Sequence, residues 1–273
     1  MSEEFLYKEL SYHVRKCIFE VQNEIGVGFD EETYHQGLIR KFKQQGIAFD
    51  SKARQKLTHR QILIHELVLD FLIENCIILS LKCLACDFLP MNYIQLFNEL
   101  KLWEKHVGFI ANFGFPKVKI ARRIFHEKLL EIEENYEFIK GLMNESEREI
   151  LKKLRQSILF VGRLHGLGYG KNIVQRLIEV ELTYNKVTIE KNFGIHVYYF
   201  GEMIRTYKMR HLLVEKNVVC HVTALKDTIT HCDISTVKSY LHALKLNIGL
   251  VVNFGKSKLQ ICGVRGDLAD KDL

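Results

Sequence analysis

Proline is scarce in this sequence, at two in 273 residues, and long apolar runs are missing altogether. No stretch approaches the ~18 apolar residues that a membrane span requires, so no membrane partner is expected. A secretory leader is not expected either, because Met1-Ser2-Glu3-Glu4 is acidic where a leader would be basic. The seven cysteines are odd in number and irregularly spaced, which argues against a secreted disulfide framework. A cytoplasmic or nuclear location follows as the expectation. Cys83 and Cys86 make a lone CxxC, and a structural zinc site needs two further ligands that no second such pair supplies. What the chain does have is apolar content, 47% of residues, enough to bury one large core or two small ones. Its net charge of +6 permits a phosphate-backbone partner, DNA or RNA, without requiring one.

Leu6, Leu10, Val14, Cys17, Ile18, Val21 and Ile25 recur at helical spacing, and Gly26-Val27-Gly28 ends that helix. A second helix is expected from Asp30 to Gln45, with Glu31 in its first turn. Extended patterns follow from Ile47 to Leu57 and from Gln61 to Ile73, predicted as a hairpin turning at Thr58-His59-Arg60. Lys52, Arg54, Lys56 and Arg60 lie there; alternation puts the first three on one strand face, as a phosphate track or as the charged protection of an edge strand. A strand from Ile77, a helix from Pro90 to His106 and two closing strands, Val107–Asn112 and Lys117–Ile124, complete a mixed α/β unit of ~120 residues.

The stretch Asp70 to Lys82 has the appearance of an active site. Glu74 and Asn75 make a turn, alternation puts Ser80 and Lys82 on one face, and pairing across the turn brings Asp70 beside them. This hairpin resembles the core of the PD-(D/E)XK nuclease superfamily. There, an aspartate, a second acid and a lysine two positions on hold a divalent metal and activate water; here Ser80 stands in place of the second acid. The branch it is most similar to is the GxxExxY family, through Gly28, Glu31 and Tyr34, followed in order by Gln95, Gly108 and Asn112-Phe113-Gly114. The resemblance implies catalytic roles for Glu31, Asp70, Ser80, Lys82 and Gln95, with Glu31 and Asp70 as ligands of Mg. The plainer reading of Asp30, Glu31 and Glu32 is that they favour a helix amino terminus. Glu99 and Asp87 are candidates for a carboxylate that has migrated to replace the missing one. Glu66 is ~13 Å from Asp70 along the strand, too far to share a metal.

The chain also repeats itself at a period of ~140 residues. Ile110-Ala111-Asn112-Phe113-Gly114 is echoed by Val251-Val252-Asn253-Phe254-Gly255, Gly26-Val27-Gly28-Phe29 by Gly166-Leu167-Gly168-Tyr169, and Ile73-Glu74-Asn75 by Val214-Glu215-Lys216. Two tandem domains of restriction-endonuclease-like α/β fold are therefore predicted, at 1–125 and 146–273. A glutamate-rich connector at 126–145 is read as helical, with Ser146 and Glu149 as the capping box of the next helix. In the second copy Lys171 takes the place of Glu31, Val174 of Tyr34, His211 of Asp70, His221 of Ser80, Thr223 of Lys82 and Thr236 of Gln95. The two histidines suit a transition metal or are ordinary polar replacements; imidazoles do not restore a magnesium site.

Three functions remain open. The tandem copies bind nucleic acid with catalysis lost in the second and impaired or lost in the first; or the first is an active Mg-dependent nuclease using Glu31, Asp70, Lys82 and a migrated acid; or the protein is a pseudoenzyme scaffold for a protein partner or a homodimer. Lys152, Lys153 and Arg155, and Arg205, Lys208 and Arg210, add positive charge, read more plainly as solvated faces. Stacking aromatics are not expected beside them.

Overall fold

The computed structural model describes residues 6–127 and 129–266. The chain divides into two units, one of residues 1–57 and 65–126, the other of residues 58–64 and 127–273. Among the described residues, no helix is long and apolar enough to cross a membrane.

In the first unit, α1 (Lys8–Ile25) buries Val14, Cys17, Ile18 and Val21 on one face, the three-to-four spacing of an amphipathic helix. Gly26 closes it at φ +85°, a backbone region open to glycine at little cost. Helix α2 (Glu31–Gln44) starts at Asp30, whose Oδ1 accepts the Thr33 N–H at 2.9 Å, an N-cap bond. Strands β1 (Phe49–Ser51), β2 (Arg54–His59), β3 (Ile62–Val68), β4 (Phe71–Ile73) and β5 (Ile77–Lys82) precede α3 (Pro90–Leu102), β6 (Val107–Asn112) and β7 (Lys119–Ile124). The main sheet runs β1-β4-β5-β6-β7, antiparallel except for the parallel pair β5–β6. Helices α1 and α2 cover one face over Ile77, Leu79 and Leu81, while α3 covers the other through Leu96 and Leu100 over Ile78 and Ile110. Strand alternation therefore sends Ser80 to the α3 side.

The two long strands expected before Ile73 are each broken. Lys52, at φ +54°, separates β1 from β2, because a left-handed residue turns the chain out of an extended path. Strands β2 and β3 form a separate two-stranded sheet. Its turn is Arg60-Gln61, at φ +50° and +63°, one residue later than expected. Lys52 is thus not on the strand with Arg54 and Lys56.

The second unit repeats the plan with β8 (Glu131–Asn135) ahead of it. Helices α4 (Glu145–His165) and α5 (Lys171–Tyr184) are followed by β9 (Ile189–Glu190), β10 (Gly194–Tyr199), β11 (Glu202–Lys208), β12 (Leu212–Val214), β13 (Val218–Ala224), α6 (His231–Leu244), β14 (Ile248–Phe254) and β15 (Lys258–Arg265). Sheet order β9-β12-β13-β14-β15 matches that of the first unit, again with one parallel pair, β13–β14. Even the register repeats: Ile77 faces Val107, and Val218 faces Ile248.

The connector is not helical. Strand β8 pairs parallel with β15, and its glutamates find cations on two elements, Glu133 with Lys258 of β15 at 2.5 Å and Glu134 with Arg155 of α4 at 2.6 Å. Tertiary pairing overrides the helix propensity of glutamate. The box capping α4 is Asn144 with Glu147, two residues before the expected pair.

The repeated motifs have structural work. Glu74 and Glu215 each bridge a left-handed turn to an adjacent loop, accepting the N–H of Ala48 at 2.8 Å and of Thr188 at 2.7 Å. Tyr34 stacks on Phe113 with ring centroids 4.3 Å apart and donates to the Gly26 carbonyl at 2.9 Å. Asn112, fully buried, accepts from Leu84 N–H at 2.8 Å and donates to the carbonyls of Leu84 and Cys86 at 3.1 Å. At Gly114 an added Cβ would lie 2.1 Å from the Leu84 carbonyl oxygen, so only glycine fits.

Candidate functional site

In the first unit the site forms where β5, the segment before β4, the start of α2 and the middle of α3 meet. Asp70 precedes β4, and its Oδ2 accepts the Leu81 N–H at 2.8 Å. Its Oδ1 accepts from Lys52 Nζ, also at 2.8 Å. The left-handed backbone of Lys52 is what returns that side chain to the aspartate instead of leaving it on the strand. Asp70 is nearly buried, and both of its oxygens are occupied.

Ser80 donates to Glu99 Oε2 at 2.5 Å, and Gln95 donates to Glu99 Oε1 at 2.8 Å from one turn earlier on α3. Burial of Glu99 pushes its carboxyl up to about 7, against the lowering effect of the bonds from Ser80 and Gln95 and of the Lys82 charge. Glu31, half-buried at the start of α2, is also raised by burial, with Lys82 opposing and Asp70 adding to the shift. The ammonium of Lys82 bonds to the Leu81 carbonyl at 2.7 Å. The sequence-predicted residues Glu31, Asp70, Ser80, Lys82 and Gln95 thus share one electrostatic neighbourhood. Of the two candidates for a migrated acid, Glu99 is in it, and Asp87 is exposed and paired with Lys119. Lys52, expected on a phosphate track, is instead the cation on Asp70, a placement that no pattern in the sequence marks because it depends on a positive φ.

The basic residues divide. Arg54 remains exposed, 4.0 Å from Glu66, and Lys56 is exposed. Arg60 belongs to the second unit, where its guanidinium makes two 2.9 Å bonds to the buried Glu181. It lies between the rings of Phe160 and Tyr184, 4.4 and 4.1 Å from their centroids. His59 Nε2 meets the same carboxylate at 2.9 Å. An arginine so neutralised and stacked is a docking residue, and no longer part of a phosphate track. Arg155 is likewise taken up by Glu134.

In the second unit the corresponding place is filled differently. His211 and His221 face each other through Nδ1 atoms 2.8 Å apart, and His221 Nε2 lies 3.2 Å from Asp233 Oδ1. Lys226 Nζ holds both oxygens of Asp233, at 2.7 and 2.9 Å. Burial opposes ionisation of Asp233, but the bonds from Lys226, Thr230 and His221 outweigh it and hold the carboxyl well below its usual range. Burial, then the neighbouring His221 and Lys171, pushes His211 down to about 3, and burial also lowers His221. Both rings are neutral at pH 7. With Asp233 ionised, His221 Nε2–H donates to it and His211 Nδ1–H donates to His221 Nδ1, which occupies the lone pair of His221 and leaves His211 Nε2 as the one imidazole nitrogen of the pair able to bind a metal. Lys171, at the Glu31 position, is half-buried and lowered by burial and by Lys226.

A family model described as the PD-(D/E)XK nuclease superfamily matches residues 8–124 and again residues 148–264. The chain belongs to that superfamily. Its two tandem matches coincide with the two sheet-and-helix halves described above. No curated protein and no solved structure matches the chain.

Magnesium, which PD-(D/E)XK chemistry implies, needs several oxygen ligands directed at one point. Glu31, Asp70 and Glu99 carry such oxygens, but those of Asp70 are bound to an ammonium and an amide, and those of Glu99 to Ser80 and Gln95. Among the described residues, no three His, Cys, Asp or Glu side chains are placed to hold a metal ion. The first copy as arranged does not fit the metal. Nor does the CxxC: Cys83 and Cys86 are free thiols, and burial pushes Cys83 up to about 11.

Proposed function

We propose that this PD-(D/E)XK protein binds nucleic acid and does not cut it, catalysis having been lost in both copies, and that within the superfamily it derives from the GxxExxY branch. The observation that carries the loss is the Lys52 ammonium 2.8 Å from Asp70. A side-chain cation holds the carboxylate that would otherwise bind a metal, in a site where Ser80 has already removed one negative charge. In the second copy His211 stands at the position of Asp70, and the nearby Asp233 carboxylate is likewise held by an ammonium, that of Lys226. The net charge of +6 and the exposed Arg54 and Lys56 support a polyanionic partner. Gly28, Glu31 and Tyr34, in place around the start of α2, support the branch. The intracellular setting expected from free cysteines agrees with a nucleic-acid partner.

The test is direct. Fluorescence anisotropy with labelled oligonucleotides is expected to show binding that weakens steeply with salt, while the same DNA and RNA incubated with Mg or Mn remain intact. Absence of binding at low salt would overturn the reading.

A second reading, an active Mg-dependent nuclease, is favoured by one observation: Glu99 brings a carboxylate to Ser80, the position of the missing acid. It requires Lys52 to leave Asp70. Cleavage that depends on Mg and vanishes in Asp70→Ala would establish it against the first.

A further inference from the structure

The charge balance at the second-copy site is the reverse of that in the first. Register equates β13 with β5, since Val218 faces Ile248 as Ile77 faces Val107. Packing equates α6 with α3: a Cβ added at Gly249 would meet Val237, as one at Gly108 would meet Leu96. On that alignment the three acids of the first site, Glu31, Asp70 and Glu99, have Lys171, His211 and Tyr240 as counterparts. Lys226 follows β13 and Arg210 precedes β12. With both imidazoles neutral, Lys171, Lys226 and Arg210 face a single carboxylate, that of Asp233.

Lys226 is committed to that carboxylate, 2.7 and 2.9 Å from its oxygens. Lys171 has no such partner: its ammonium makes no hydrogen bond or ion pair among the described residues. It is half-buried in the first turn of α5, where the helix's partial positive charge repels a cation. In the first copy, Asp30 caps α2, and Glu31 and Glu32 follow it. In the second, Gly170 supplies no side-chain cap and the first turn holds no acid. Burial lowers the Lys171 ammonium most, Lys226 lowers it next, Asp233 opposes and Arg210 adds to the fall. After burial, the Lys171 charge also helps to depress both histidines. A cation thus stands where burial, helix and neighbours all disfavour it, and unfavourable placements of this kind cluster at binding sites.

We propose that Lys171, Lys226 and Arg210 form a binding site for a phosphate group in the second copy. The charge of the phosphate offsets the excess that Asp233 leaves. Its oxygens accept from the free ammonium, from the guanidinium and from the leading N–H groups of α5. The same cations repel a divalent metal, so the second site takes directly the anion that a metal-loaded site would take through its ion. The inference stands apart from the nucleic-acid reading, because small molecules carry phosphate groups as well as a backbone does.

The experiment compares melting in sodium phosphate and in sodium chloride of equal ionic strength, with calorimetric titration of inorganic phosphate. Phosphate is expected to raise the melting temperature of wild type and of the control Lys16→Ala, at an exposed cation of α1. Lys171→Met should lose about 10-fold or more of phosphate affinity, the order of one charged hydrogen bond. In chloride it should melt no lower than wild type, because the charge removed was unfavourably placed. Arg210→Ala, at an exposed side chain, should lose affinity by a smaller factor. Acetylation of wild type by acetic anhydride, read by mass spectrometry, should slow at Lys171 in phosphate and proceed unchanged at Lys16.

Oligonucleotides then serve as competitors. Shielding of Lys171 by an oligonucleotide would support the site with a backbone phosphate in it, and shielding by inorganic phosphate alone would support it with a free phosphate compound as ligand. Wild type that gains nothing from phosphate over chloride, or Lys171→Met that keeps full affinity, would overturn the site. Should Lys171→Met fail to fold, equal acetylation of wild-type Lys171 in the two salts would overturn it. Anisotropy with labelled oligonucleotides reads the nucleic-acid proposal separately, so either can fail without the other.

Discussion

The first and second copies share one topology and one strand register, yet at the site where the fold places its chemistry they have almost nothing in common. In the first, the group reaching from the α3 side is Glu99, raised by burial to about 7 and bonded to Ser80. In the second, the corresponding helix α6 sends Asp233, held ionised by Lys226 and His221. One copy keeps a carboxyl that burial favours as the acid, the other a carboxylate that its neighbours favour as the base form. What the pair teaches is that the scaffold constrains which elements converge and leaves the charge state at their meeting point to individual side chains. Backbone bonds and core packing hold the fold with either set, so drift at the site costs the architecture little.

The largest difference between copies should appear at the helix pairs. Glu181 on α5 and Lys41 on α2 are equivalent positions, but Glu181 is buried under Arg60 and His59 while Lys41 bonds to Glu20 at the surface. Glu181→Ala is expected to cost about 3–5 kcal/mol, the penalty for removing one partner of a buried ion pair. Lys41→Ala should barely move the denaturation midpoint, as surface pairs contribute little. Equal effects in urea denaturation would remove the distinction.

Next in size is the pH dependence. The folded state raises Glu99 from the ordinary 4.5 to about 7, so it binds a proton that the unfolded chain has released. Its contribution is complete below about pH 4.5 and is lost as the pH rises toward 7, a change of roughly 3 kcal/mol at most. Glu99→Gln should flatten the stability profile across that window, measured by denaturant titration at successive pH values. Asp233 has the opposite sign. Its folded carboxyl is depressed, so its contribution is present above the unfolded value of 3.8 and is lost as the pH falls below it. Asp233→Asn should remove a loss of stability in acid while leaving the pH 4.5 to 7 slope unchanged.

The smallest effect on stability sharpens the comparison most. Lys52→Ala removes an ammonium that is nearly half exposed, and the cost is expected to stay within about 1 kcal/mol because solvent screens the pair. Manganese should then raise the melting temperature of Lys52→Ala and leave wild type unchanged. A rise in wild type, abolished by Asp70→Ala, would show that the ammonium yields to a metal and would favour the cleavage reading.

Much of this was legible in advance. The spacing of Val14, Ile18 and Val21, the glycine after Ile25 and the echo of Asn112-Phe113-Gly114 in Asn253-Phe254-Gly255 report local periodicity and close backbone approach, both written directly in residue type. Convergence of Asp70, Ser80 and Lys82 followed from alternation across a turn. Three features were not legible. Lys52 depends on a left-handed backbone that nothing about lysine favours. Arg60 found a partner far along the chain. Strand β8 formed from glutamates because β15 offered an edge, with Lys258 on that strand and Arg155 on α4 in reach of the carboxylates.

By itself, the sequence determined the periodicities, the glycine and asparagine positions that lock the loops, and the duplication, since each is a property of a residue and its near neighbours. Tertiary structure alone decided which cation would sit on Asp70, that Glu99 would meet Ser80, and that Arg60 would dock on Glu181. Those outcomes turn on distances between residues far apart in the chain, where a few ångströms separate an occupied carboxylate from a free one.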